Sequence, residues 1–395
     1  MNSPLPSPYT PGESPTFLVG RREQVEAAEA DLALLAHYGR FLGRVRVDIG
    51  SRGVGKTSLL KAIREAALEA GAVTAWVTAR ADESLVASLV AALTVGLDGI
   101  GVDLSERTPL SRRLRRLSLE LGVGPAKAGV ELDVSGPAAP GSSAASAAFG
   151  AFVSAASTAA RDAGSAGLCL LVDEIQAAHR TDLRTLAYAW QELQSAPGAP
   201  AAVIFAAGLP NAPDVLTAAV TFSERFAFRT LERLGEADAT EALEAPAHVH
   251  RVTWSPELLA RVLAQSQGYP YFLQLYGDAL WRAAGPDEGD TLGPHLFDAA
   301  RSRVESDLDT MFRSRWAKAS PGERRLLAAM AGLSGDPEQP VRRGEVAEAM
   351  RVGTNDLSVP RRALLDKGLI EVAARGTLRF TVPGFAGFVR AETGA

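Results

Sequence analysis

At 395 residues, 47% of them hydrophobic and 22% charged, the chain has the length for two or three domains with sizeable cores and is not of the disordered class. Its formal charge of −5 excludes a uniformly basic nucleic-acid binder, although a local basic patch remains compatible with it. The single cysteine, Cys169, excludes an intrachain disulfide and argues against a cysteine-based metal site.

Residues 1–16 are rich in Pro and Ser and read as a flexible tail. They lack a basic stretch followed by an apolar one, so no signal peptide is expected. No run of about 18 apolar residues is expected to cross a bilayer, because Ser, Gly and Thr interrupt the Ala-rich stretch 144–160. A cytoplasmic protein without a membrane partner is the expectation. Residues 17–23 open an amphipathic helix that runs to about Tyr38, and 45–49 alternate as a strand that ends at Gly50. A glycine-rich turn follows, then a helix carrying Leu59, Leu60, Ile63 and Ala67 at helical spacing. Residues 72–77 read as a second strand, with helices near 85–97 and 111–121. The arginines Arg112, Arg113, Arg115 and Arg116 form a solvated face on the latter.

Between 122 and 146 the composition shifts to Gly, Pro, Ala and Ser, with one candidate hairpin at 130–134, as in an insertion. Residues 168–172 and 201–206 are continuous apolar runs, the pattern of strands buried on both faces; 226–228 is a shorter one. Strands alternating with helices predict an α/β domain over 17–234 with a mainly parallel sheet. From about 235 the strands stop, and helical segments predict a small lid over 235–318. A third domain, 319–395, reads as helix, turn, helix and a two-stranded hairpin.

Gly50-Ser51-Arg52-Gly53-Val54-Gly55-Lys56-Thr57 matches G-x-x-x-x-G-K-[ST] between an apolar strand and a helix. In that setting the backbone N–H groups from Gly50 through Ser58 cradle phosphates at a helix N-terminus. Lys56 reaches the β- and γ-phosphates of ATP or ADP, and the Thr57 hydroxyl takes Mg²⁺. Asp173, at the end of a buried strand expected beside the first, holds the metal through water, and Glu174 polarises the attacking water. The bland alternative for the pair is a strand end that caps the next helix. Lys is scarce, five residues against 36 Arg, which makes Lys56 informative because ammonium and guanidinium grip phosphate differently.

These motifs, in this order over residues 17–390, resemble the AAA+/STAND P-loop ATPases, in particular the initiator-like, origin-recognition-type branch. The resemblance implies a P-loop NTPase sheet of the ASCE/AAA+ type with a helical lid and a C-terminal winged helix-turn-helix. It implies adenine contacts from Gly20 and Arg21 and from Pro270 in Gly268-Tyr269-Pro270, where ordinary helix punctuation is the alternative. It also implies an arginine finger at Arg225 that would complete a neighbouring subunit's site on self-association. Two departures point to slow turnover: the polar sensor after 203–207 is missing or displaced to Asn211, and only Arg282 offers itself as a second-sensor arginine.

In the C-terminal domain the resemblance places Arg361, Arg362 and Lys367 on a recognition helix starting near Ser358, with Arg375 and Arg379 on a wing. Residues 321–395 carry 11 basic against 9 acidic side chains. Two outputs stay open: duplex DNA contact through these residues, or a STAND-like signalling scaffold that docks an unknown protein partner. A substrate-threading unfoldase is disfavoured, since residues 78–83 carry no aromatic side chain.

Overall fold

The computed structural model describes residues 5–105, 108–121, 143–220, 223–335 and 339–394; the candidate hairpin at 130–134 lies outside them. The chain divides into two compact units, residues 21–49 with 56–230, and residues 1–20 and 50–55 with 231–395.

In the first unit the elements are α1 (Arg22–Tyr38), β1 (Val45–Ile49), α2 (Lys56–Glu69), β2 (Val73–Thr78), α3 (Leu85–Gly99), α4 (Pro109–Leu121) and α5 (Ser143–Asp162). They continue with β3 (Leu168–Asp173), α6 (Arg180–Ser195), β4 (Ala202–Gly208), α7 (Ala212–Ala219) and β5 (Phe226–Thr230). The five strands form one sheet in the order β2-β3-β4-β1-β5, all parallel. Every residue of β3 and β4 is buried, as their uninterrupted apolar runs require of strands covered on both faces.

Two expectations need correction here. Asp173 was expected on the strand beside β1, but β4 lies between β1 and β3. The expected insertion 122–146 is shorter at its end, because Ser143 already begins α5. By length and composition α5 could cross a membrane, contrary to the sequence expectation. It packs instead in the core, with Phe149, Phe152, Val153, Ala156 and Ala160 all buried. Its interrupting small residues are what let neighbouring helices come close.

The second unit carries α8 (Glu236–Val249), β6 (Thr253–Trp254), α9 (Pro256–Ser266), α10 (Pro270–Ala284), β7 (Thr291–Leu292) and α11 (Leu296–Ala317). It ends with α12 (Pro321–Ser334), β8 (Val341–Arg342), α13 (Arg343–Ala349), α14 (Ser358–Asp366), β9 (Ile370–Ala374), β10 (Thr377–Phe380) and α15 (Phe385–Thr393). The strands do not stop at 235, since the short β6 and β7 pair in parallel within the helical region. The C-terminal helices pack on a three-stranded sheet, β8-β10-β9, whose pairings are antiparallel.

A boundary at 318 does not separate two cores. Tyr269, Phe272 and Phe312 bury their rings together with Leu326, Leu364, Phe380 and Phe385. Nor is the N-terminal segment a free tail from Leu5 onward. Tyr9 is only 2% exposed, edge-on to Trp254 and Trp281. Its hydroxyl donates to the Leu243 carbonyl and accepts from Trp254 Nε1 at 3.0 Å. A Cβ on Gly277 would stand 2.5 Å from the Tyr9 ring, so the absence of a side chain there makes the seat. The prolines that suggested disorder hold an extended segment, and one aromatic ring supplies enough buried surface to dock it.

Candidate functional site

β1 ends at Ile49 and the chain turns through residues 50–55 into α2. Gly53 and Gly55 have φ of 83° and 95°, a region that side chains resist, so glycine at both positions gives this turn its shape. Lys56, Thr57 and Ser58 form the first turn of α2, where the helix dipole favours an anion. Lys56 is 6% exposed.

Asp173 closes β3, and its Oδ2 accepts the Thr57 hydroxyl at 2.8 Å. The intervening β4 does not keep the two apart, because α2 packs back across β2, β3 and β4. Asp173 Oδ1 accepts the Glu174 N–H at 2.9 Å. Burial raises the Asp173 carboxyl above its ordinary value, against hydrogen bonds from Thr57 and Glu174 and the nearby Lys56 charge, which favour the carboxylate. A hydroxyl and a carboxylate are hard oxygen donors, the pair that Mg²⁺ takes when phosphates and water complete its shell. No cluster of three or more His, Cys, Asp or Glu side chains suited to a metal occurs among the described residues.

Residues 18–205 match the AAA ATPase domain family. Over this part the chain resembles AAA ATPase domains. Residues 309–389 match a domain of unknown function, DUF8462. No curated protein matches the chain. Its fold resembles the ORC2 protein of Aeropyrum pernix, solved as ADPNP–ADP complexes, with a TM-score of 0.57 and 16% identity over 98% of both chains. It also resembles the Walker-type ATPase paby2304 of Pyrococcus abyssi, with a TM-score of 0.55 and 14% identity over 94% of this chain and 96% of that one. At such identities the likeness is one of fold. The AAA+ resemblance read from the motifs holds, and the fold is that of the origin-recognition-type ATPases.

Glu174 follows β3 with φ of 51°, an uncommon conformation for a residue with a side chain. Arg225 stands immediately before β5, whose Phe226 pairs with Val45 at the start of β1. The five residues of β1, at about 3.3 Å each, separate that end of the sheet from the phosphate turn. Arg225 thus lies at the end of the sheet where β1 and β5 begin. Asn211 is buried just after β4, before α7. Arg21 is buried at the start of α1.

In the second unit the phosphate turn meets the start of α10. Pro270 is the first residue of that helix, and the Tyr271 N–H donates to the Gly53 carbonyl at 3.3 Å. The Tyr269 hydroxyl donates to the Arg52 carbonyl, and a Cβ on Gly53 would fall 2.7 Å from that hydroxyl. Gly20, with φ of 69°, packs on Leu234 and Asp238 at the entry to the helical region. Arg282, the second-sensor candidate, instead pairs through Nε with Asp278 at 2.8 Å and borders a cavity lined by Leu5, Tyr9 and Trp281.

The five basic residues of the C-terminal domain lie on α14 and on the β9–β10 hairpin as expected, but three of them are engaged. Arg362 pairs with Asp366 at 3.1 Å and Arg379 with Glu371 at 2.5 Å. Lys367 binds Glu323 at 2.5 Å and the Lys318 carbonyl at 2.8 Å, which ties the end of α14 to the capping box that opens α12. Burial pushes the Glu323 carboxyl up, but hydrogen bonds from Lys367 and Ser320 outweigh it and hold the group below its ordinary value. Lys367 is thus a structural cross-link. Arg361 is half-buried, and Arg375 is exposed at the hairpin turn.

Sequence reasoning missed Tyr269 and Gln176. The first could be suspected only as part of Gly-x-Pro. The second carries no motif signal.

Proposed function

We propose that the chain is a slow ATPase that works as a nucleotide switch, with the C-terminal helices and hairpin as its output. The observation that carries this reading is Tyr269. Its ring is fully buried in the core it shares with Phe312, Leu364 and Phe380, while its hydroxyl holds the carbonyl of Arg52 in the phosphate turn. One step away, Arg233 donates to Gln267 at 3.0 Å and to the Thr381 carbonyl at 3.4 Å, joining the chain before α10 to the end of β10. A turn that reshapes around a triphosphate would therefore pull on the C-terminal core directly.

In this reading the amides of the turn and Lys56 hold the phosphates, and Thr57 with Asp173 would hold Mg²⁺, which neutralises phosphate charge when bound. Glu174 takes a proton from water as the water oxygen bonds to the γ-phosphorus and the bond to ADP breaks. Arg225 would supply the missing positive charge from a second copy. The pairing of Arg282 with Asp278 supports slow turnover, because it occupies the one candidate second-sensor arginine.

Replacing Tyr269 with phenylalanine removes one hydroxyl and keeps the ring. Hydrogen–deuterium exchange across residues 358–382 should change when the wild-type protein binds a non-hydrolysable ATP analogue. In Tyr269→Phe that change should fall by at least half, with ADP affinity within about fivefold. An identical response in the variant would remove the switch reading.

For the output, the ion pairs favour protein docking over duplex DNA. Three cations are already matched, and Val359 on α14 is 80% exposed. Such a surface suits an apolar, partly charged partner with an arrangement like a winged helix. Gel shifts with random duplex DNA over a salt series should give no binding tighter than about 10 µM near 150 mM salt. Arg361→Ala with Arg362→Ala should leave that result unchanged. A salt-dependent shift lost in the double variant would restore DNA as the output.

A further inference from the structure

Gln176 stands three residues beyond Asp173 and bridges the chain just after β3 to the chain just after β4. Its Nε2 donates to Glu174 Oε2. Its Oε1 accepts the Leu209 N–H at 2.8 Å, just past the end of β4. Gly208 leaves room for this bridge, since a Cβ there would stand 2.9 Å from Gln176 Oε1 and 2.9 Å from Ala212 Cβ. Glu174, in its left-handed conformation, is held at three points in all. Its N–H goes to Asp173 Oδ1 at 2.9 Å, its carbonyl takes the Ala177 N–H at 2.8 Å, and its carboxylate meets the Gln176 amide. A strained residue persists where its surroundings over-determine it, and here they determine where one carboxylate points.

We propose that Gln176 is a positioning residue for hydrolysis: it aims the Glu174 carboxylate and ties that aim to the main chain at the end of β4. β4 ends at Gly208 and Leu209 follows it, neither offering a polar side chain, so a backbone N–H acts through Gln176 in place of one. A shift of β4 relative to β3 would then rotate the general base without touching the phosphate turn. The role rests on the reading of Glu174 as the group that activates water. It predicts an effect on turnover and none on nucleotide binding, because Gln176 contacts neither Lys56 nor Thr57 through any bond described above.

The test is steady-state hydrolysis of Mg·ATP by the full chain, with ADP affinity measured by calorimetry. Gln176→Leu keeps comparable bulk and loses both polar groups. Gln176→Glu keeps the shape and puts a second carboxylate against the first. Both should lower kcat by about 10- to 100-fold, with KM and ADP affinity within about threefold. In a Glu174→Gln background, Gln176→Leu should change the residual rate by less than about twofold, since nothing remains to be aimed. If Gln176→Leu fails to bind ADP, the isosteric Gln176→Glu decides. Wild-type kcat in both variants, or an equal loss in the Glu174→Gln background, overturns the proposal. Glu174→Gln at the wild-type rate would overturn the hydrolytic reading itself, and the positioning role with it.

Discussion

Replacing Lys56 with alanine should weaken binding of Mg·ATP by about 100-fold or more, to the point where calorimetry at micromolar protein records no heat. Lys56 sits in the first turn of α2, 6% exposed, beside the Asp173 carboxylate. An ammonium group in so dry a position is stable only among negative charge. A charge-assisted hydrogen bond to phosphate contributes roughly 1.5–3 kcal/mol, and Lys56 would make more than one. The loss spreads, because Asp173 is already pushed up by burial and Lys56 is one of the influences that favour its ionised form. Without that cation the carboxylate becomes a weaker partner for a metal. Lys56→Arg should not restore binding, since a planar fork does not replace a compact point charge at the mouth of a tight turn. A dissociation constant within about threefold of wild type would sink the assignment of this turn as the phosphate site.

Glu174→Gln should separate binding from chemistry. The amide keeps the size and the hydrogen-bonding reach of the carboxylate but cannot accept a proton from water at neutral pH. Loss of a positioned general base lowers rates by about 10²- to 10⁴-fold. Binding should stay within about threefold, because the Glu174 carboxylate bonds to Gln176 while Thr57 and Asp173 are joined by their own 2.8 Å hydrogen bond. Single-turnover release of phosphate, measured beside calorimetric affinity, checks both halves. Unchanged turnover would return Glu174 to the bland reading of a residue that merely follows a strand. A matching loss of affinity would mean that the side chain organises the site and does not act on water.

The legible part of the fold was the part written in local pattern. Apolar runs at 168–172 and 201–206 predicted two doubly covered strands, and β3 and β4 are buried throughout. Helix α14 of the C-terminal domain begins at Ser358 as expected, whereas α15 (Phe385–Thr393) was not anticipated. What local pattern does not carry is strand order. Nothing in the run 168–173 says that β4 will slip between it and β1. Composition also misled at two places: Pro and Ser suggested a free tail where Tyr9 docks, and scattered small residues disguised the continuous helix α5.

The basic residues of the C-terminal domain show the same limit from the side of charge. A count of 11 against 9 is a property of the sequence, but whether a given cation faces solvent or an acid is a property of the fold. Lys367 finds Glu323 across 44 positions of chain, and Arg379 finds Glu371 across a hairpin.

By itself the sequence determined the turn between β1 and α2, since glycine spacing and the lysine and threonine at a helix start act through covalent neighbours. It also determined which strands would be buried and where the acidic pair would end one of them. Only the tertiary structure decided that Tyr269 links that turn to the C-terminal core, that Gln176 holds Glu174, and that three expected DNA contacts are spent on ion pairs. Each of those is a meeting of side chains distant along the chain or oriented by strained backbone, and such meetings are settled by packing and not by local propensity.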